Sequence, residues 1–321
     1  MAEQGERYEW LPSESADERY PMQLLSGQLE GGGESVELPA GKIMNRGWGE
    51  LGSRRIVGED LKVVPERLNI AWFSYTENTF FGGKLELPTL GELFRKGLRE
   101  PEGRAQITWD KILVGMGLGG WLSVWVCAQG IVREVATATF DPIERDWSEV
   151  LDNPTLERED FVRETLRGRL SDAAWRSYRE RGVEDAASRW PRYNHSYRWQ
   201  LVTEGVQVPL HAYVRSFNGE RNFYELRQPP RGLERAPKRL DITWRGRRNR
   251  LLSRIEFDER ELFGALSDLG AASSDGPVPR LRVEYLPRHR VEVALEGTTQ
   301  RRVLSRARVD VSSLSSSSTT R

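Results

Sequence analysis

The stretch PERLNIAWFSYTENTFFGGKLELP, Pro65 to Pro88, decides how the rest of the chain is read. Leu68 to Phe73 is a strand-like apolar run. A dense group of polar and aromatic residues follows, ending at Gly82-Gly83, and a short apolar run, Leu85 to Leu87, closes on Pro88. β-Branched and aromatic residues suit a pleated, half-buried surface, so the flanking runs predict strands. Part of the stretch recurs. Pro65-Glu-Arg-Leu-Asn-Ile-Ala-Trp72 matches Pro237-Lys-Arg-Leu-Asp-Ile-Thr-Trp244, and Leu85-Glu86-Leu87 then Glu92-Leu93-Phe94 match Ile255-Glu256-Phe257 then Glu261-Leu262-Phe263. Tyr20-Pro-Met-Gln-Leu-Leu25 resembles Tyr197-Arg-Trp-Gln-Leu-Val202, and the strand pair around Val124 lines up with the pair around Val293. The matches keep their order along the chain, as a duplicated unit requires.

The predicted fold class is α+β: two similar, mainly antiparallel β-sheet subdomains from an internal duplication, each with a packed helix, joined by a helical segment. The expected organisation is a flexible N-terminal arm over 1–19, a first repeat over 20–140, a helical connector over 141–190, a second repeat over 191–311 and a disordered Ser-rich tail over 312–321. Leu90, Leu93, Phe94 and Leu98 recur at helical spacing, which predicts a helix over Thr89 to Leu98. Ile107 to Val114 and Trp121 to Ala128 read as strands joined by Gly115-Met-Gly-Leu-Gly-Gly120. That link satisfies G-x-G-x-x-G, but a dinucleotide site needs a helix next, whose N-terminus holds the pyrophosphate. Here WLSVWVCA follows, so a glycine-rich hairpin turn is predicted. In the connector, Asn153-Pro154 starts a helix striped by Val162, Leu166, Leu170 and Ala173, with a break near Gly168 and Ser171-Asp172. In the second repeat Asn218-Gly219 is a hairpin turn, and Glu259 to Leu269 a helix.

Bulk composition narrows the function classes. Lys+Arg and Asp+Glu both total 48 of 321 residues, so no global field favours nucleic acid as a partner. Cys127 is the one cysteine, which excludes an intrachain disulfide, and it reads as a small buried hydrophobe. No apolar stretch approaches the roughly 20 residues of a membrane helix, and MAEQGERYEW lacks the basic-then-apolar order of a secretion signal. The expected location is cytoplasmic for the chain as given, or that of a periplasmic lipoprotein if a leader was removed.

Chemistry is sparse. His195, His211 and His289 fall in different elements without ligand spacing, and no cofactor or metal motif is expected. Glu77 sits among Ser74, Tyr75, Asn78, Phe80 and Phe81. It reads either as a functional carboxylate or as a turn residue binding local amides. Arg245 to Arg250, RGRRNR, reads as a solvated hairpin tip. Trp190, Tyr193, Tyr197 and Trp199, interleaved with Arg192 and Arg198, fit two readings: an interface hot spot, or a clasp packing the connector on the second repeat. The candidate partner-binding set is thus Ser74, Tyr75, Glu77, Asn78, Phe80, Phe81, Trp190, Tyr193, Tyr197 and Trp199, with no catalytic residues assigned.

Several segments together resemble the bacterial domain-of-unknown-function family 2931, many of whose members are lipoprotein-like. They are Leu68 to Phe81, Leu87-Pro88, Val114-Gly115 with Gly119-Gly120, Val124-Trp125, Trp190 to Trp199 and Asn218-Gly219-Glu220, across most of residues 20–300. The resemblance implies a setting beside secreted antibacterial effectors, including type VI lipase-like toxins, and it carries over no catalytic residues. No lipoprotein signal or lipidation cysteine is visible here, a departure from that pattern. The expected function is a non-catalytic immunity or accessory protein whose partner is a cognate, lipase-like effector. The alternatives are a hydrolase acting on envelope material, with Glu77 as acid or base, and a structural adaptor of a secretion or phage-like particle.

Overall fold

A computed structural model describes all residues except 1–5, 54–58, 100–104, 152, 154–155, 184–185, 206–207, 227–234, 247–248, 273–275, 277, 288–289 and 315–321. Pro154, His289, the middle of the basic run and most of the Ser-rich tail therefore lie outside the described residues. The chain divides into two compact units, Met1–Trp190 and Pro191–Arg321.

The first unit holds β1 (Leu11–Ala16), β2 (Met22–Gly31), β3 (Glu34–Glu37), β4 (Arg67–Ser74), β5 (Thr79–Glu86), α1 (Gly91–Lys96), β6 (Lys111–Met116), β7 (Trp121–Ala128) and β8 (Ile131–Thr139). The helices α2 (Arg158–Arg169) and α3 (Asp172–Arg181) follow, and α4 (Ala186–Asn194) runs across the division between the units. One sheet runs β3-β2-β4-β5, all antiparallel. In the other, β1 pairs in parallel with β6, and β6, β7 and β8 form an antiparallel meander. Within the expected flexible arm over 1–19, Leu11–Ala16 form a strand instead. Ser13, Glu14, Ser15 and Ala16 are buried on β1, because a strand beside β6 is covered whatever its polarity.

β6 and β7 are near-continuous apolar runs, Ile112 to Met116 and Leu122 to Ala128, and are buried on both faces. Trp48, Trp125 and Trp190 cluster there, with Trp48 centroids 5.0 Å from Trp125 and 4.4 Å from Trp190. Glycines make the room: a Cβ on Gly115 would stand 2.4 Å from the Trp125 ring, and one on Gly117 2.8 Å from the Trp190 ring. The G-x-G-x-x-G segment is the predicted hairpin link, with a short 3-10 turn at Leu118–Gly120 and no helix beyond it.

The second unit holds β9 (Gln200–Glu204), β10 (Val208–Ser216), β11 (Arg221–Glu225), β12 (Pro237–Arg245), β13 (Arg250–Glu256), α5 (Glu259–Asp268), β14 (Arg280–Leu286), β15 (Arg290–Glu296), β16 (Arg301–Val303) and β17 (Arg308–Leu314). β11, β10, β12, β13 and β17 are neighbours in that order, all antiparallel. β9 pairs in parallel with β14, and β14, β15 and β16 form a meander. Ser312 to Leu314, expected in the tail, belong to β17.

Each strand from β1 to β8 thus has a counterpart eight labels later. The registers agree as well. In the first hairpin Arg67 faces Glu86, Leu68 faces Leu85 and Trp72 faces Phe81. In the second Arg239 faces Glu256, Leu240 faces Ile255 and Trp244 faces Leu251, as the sequence matches require. A register shift at Leu25 of β2, opposite Trp72 and Ala71, has its match at Leu210 of β10, opposite Trp244 and Thr243. Val114 pairs with Glu14 and Val283 with Thr203, so Tyr8-Glu9-Trp10 and Tyr197-Arg198-Trp199 each lead into a strand of a parallel pair, whereas Tyr20 leads into β2. Trp10 and Trp199 are each 1% exposed at the head of the parallel strand.

Candidate functional site

The hairpin β4–β5 turns through Tyr75 to Asn78, and Asn78 takes the left-handed conformation at φ 51° that asparagine tolerates better than most residues. Thr79 Oγ1 donates to the Glu77 carbonyl at 2.9 Å. The Glu77 carboxylate faces inward with both oxygens engaged. Oε2 accepts the Ser74 hydroxyl at 2.7 Å, and Oε1 accepts the Gly119 N–H at 2.7 Å. Burial raises its pKa above the ordinary carboxylate value, against the lowering effect of those two bonds. Glu77 therefore ties the β4–β5 turn to the β6–β7 link.

Tyr75, the next residue of the set, is fully buried. Its hydroxyl donates to Gln23 Oε1 at 2.6 Å, Gln23 Nε2 donates to the Val150 carbonyl at 3.2 Å, and burial pushes the phenol pKa up. Phe80 lies in the same core as Phe73, Val150, Val162, Leu166 and Leu170. Phe81 packs against Trp72 with centroids 5.7 Å apart. Because β5 begins at Thr79, Phe80 and Phe81 stand where Arg250 and Leu251 stand on β13.

The connector belongs to this unit and packs on the turn. Arg158, in the first turn of α2, donates through Nε to Asn78 Oδ1 at 2.7 Å and through its NH2 group to the Asn78 carbonyl at 2.6 Å. Its guanidinium carbon lies 5.3 Å from the Phe73 ring, 5.2 Å from Phe80 and 5.3 Å from Trp147. Guanidinium groups are weakly hydrated and stack on aromatic faces, so three rings and two carbonyl-type acceptors hold this cation in place. The local sequence does not mark Arg158. It is one arginine among many in a charged connector, and its partners are far away in the chain.

Beyond Asn78 a groove of about 1020 Å³ opens. Val162 and Leu166 of α2 and Trp175 and Tyr178 of α3 form its apolar part, the two aromatic rings stacked with centroids 5.9 Å apart. The rim carries Glu159, Arg163, Glu164, Arg167, Asp172 and Arg179. The i, i+3 spacing of Trp175 and Tyr178 is the sequence signal that could have found them.

The remaining predicted residues are structural. Trp190 is buried in the first unit, its Nε1–H donating to the Leu118 carbonyl at 3.1 Å. Trp199 donates to the Arg235 carbonyl at 2.8 Å. Tyr193 stacks on Phe263 with centroids 5.8 Å apart, and Tyr197 meets the same ring edge-on at 5.4 Å. All four are buried, and rings this covered offer no contact surface, so the hot-spot reading is corrected. Of the ten candidates only Asn78 reaches the groove. Among the described residues no group of three or more His, Cys, Asp or Glu could hold a metal ion, and no helix is long and apolar enough to cross a membrane.

Fold and groove together define an α+β protein of several mainly antiparallel sheets with a helical groove on its first unit. The chain belongs to the DUF2931 family, described as proteins of unknown function, whose family pattern matches residues 1–183. The motifs at Trp190 to Trp199 and Asn218 to Glu220 lie beyond the matched span. No curated protein and no solved structure matches the chain.

Proposed function

We propose that this protein is a non-catalytic binding protein, an immunity or accessory protein that captures and neutralises a toxic bacterial effector of the type VI kind. The observation that carries the reading is the groove between α2 and α3. It combines a stacked Trp175–Tyr178 pair and an apolar floor with a charged rim. Aromatic anchors ringed by polar groups are the makeup of interface hot spots. The hydrolase reading is weaker because Glu77, its candidate acid or base, spends both oxygens on Ser74 and Gly119. A general acid or base needs an oxygen within reach of substrate.

Co-expression with the protein of the neighbouring open reading frame, once that protein is found toxic alone, tests the proposal. The expected outcome is restored growth and co-purification of the pair. Continued toxicity without co-purification overturns it.

We infer further that the two units are copies of one duplicated module. Shared strand order, the shared parallel pair, matching hairpin registers and a bulge at Leu25 and Leu210 support this.

A further inference from the structure

We propose that the α2–α3 groove receives an amphipathic helix of the partner protein, seated by apolar side chains and held by acidic residues that meet Arg167 and Arg179. This rests on the binding reading above and names the partner's chemistry. Three observations carry it. The first is size: at about 1020 Å³ the groove stands at the upper limit of the roughly 300–1,000 Å³ typical of small-molecule pockets, which suits a chain segment.

The second is charge. The rim balances three carboxylates against three guanidiniums, so neither a polyanion nor a polycation gains from the whole surface. A protein segment with both signs around an apolar stripe does.

The third is the state of those charges. Arg163 is paired with Asp160 at 2.5 Å. No ion pair is found for Arg167, Arg179, Glu159 or Glu164 among the described residues. Some other arginines of this chain are tied to carboxylates, as Arg239 is to Asp241 and Arg282 to Glu204, Glu284 and Glu296. Two cations flanking an apolar floor made by two helices fit an amphipathic helix laid into the groove, its apolar positions at i, i+3, i+4 and i+7.

Photo-crosslinking of the full chain tests this. Arg163→Cys, whose charge is already paired, is labelled with benzophenone-maleimide, and Arg308→Cys on β17 serves as the remote control. Native Cys127 is buried and takes no label. In extract of the source cells the Arg163→Cys probe is expected to give a protein adduct. Its crosslinked peptide should be an amphipathic helix carrying acidic residues, and the control should not give it. The double reversal Arg167→Glu with Arg179→Glu, on exposed rim positions, should lower the yield at least tenfold with an unchanged circular dichroism spectrum. A groove adduct with lipid or nucleic acid overturns the proposal, as does a protein adduct indifferent to the double reversal. A protein adduct from Arg308→Cys alone overturns the groove assignment and leaves the binding function standing. No protein adduct from either probe, with continued toxicity in co-expression, overturns both.

Discussion

Glu77 shows how one carboxylate acts on stability. Burial raises its pKa above the ordinary 4.5, so folding favours the protonated form. A raised folded-state pKa contributes stability that is fully present below the unfolded value and lost as pH rises through the folded value. Lowering pH from neutral toward 4.5 should therefore raise the melting temperature of the wild type relative to Glu77→Gln. A constant difference across that window would refute the assignment. Glu14, fully buried with Oε1 accepting the Ser53 N–H at 2.8 Å, is raised by burial in the same direction, so the comparison has to be made against the Gln variant at each pH. Arg158 supplies the other residue-scale prediction. Arg158→Ala removes two charge-assisted hydrogen bonds and contacts to three rings, and should cost about 2–4 kcal/mol in urea unfolding. Arg158→Lys should recover only part of this, because an ammonium cannot present the planar fork to Asn78.

At the scale of elements, the β6–β7 link and the β7–β8 turn make a matched pair. Gly120 has φ 71°, and a Cβ there would stand 1.9 Å from the Phe140 carbonyl oxygen, a backbone atom that cannot turn aside. Gly130 has φ 84° with nothing within 4 Å. Gly130→Ala should thus cost only the left-handed backbone penalty, about 1–2 kcal/mol. Gly120→Ala should cost clearly more, since the strand end must shift, and equal losses in chemical denaturation would contradict this packing. The glycines of this link were visible in the sequence, but their jobs were not. Gly117 makes room for Trp190, a residue more than seventy positions away, and no local pattern announces that approach.

At the scale of the molecule, the two units solve one topology with different faces. In the first unit the outer face of the meander sheet is closed by Trp48 and Trp190. In the second, Arg282 and Arg301 spread over Glu204, Glu284, Glu292 and Glu296 on half-exposed strands that alternate buried and solvated positions. If each unit is a complete module, residues 191–321 expressed alone should unfold cooperatively in urea with a strand-rich circular dichroism spectrum. A featureless, non-cooperative chain would count against the module. Matched truncations should also behave alike: Leu68→Ala and Leu240→Ala, both fully buried and opposite Leu85 and Ile255, should each cost about 2–5 kcal/mol.

Local pattern alone determined the hairpin strands β4, β5, β12 and β13, the apolar strand β7, the helices α1 and α5 and the Asn218-Gly219 hairpin, because period and turn chemistry are written in neighbouring residues. Tertiary structure alone decided which strands pair at long range. It drew polar Leu11–Ala16 into a sheet beside β6 and set Trp10 and Trp199 each at the head of a strand that pairs in parallel. It likewise placed Tyr75, Phe80 and Phe81 in the core, leaving Asn78 at the edge of a groove whose other walls come from α2 and α3. Aromatic side chains carry the same composition whether they bind a partner or fill a core, and only the packing of distant segments determines which.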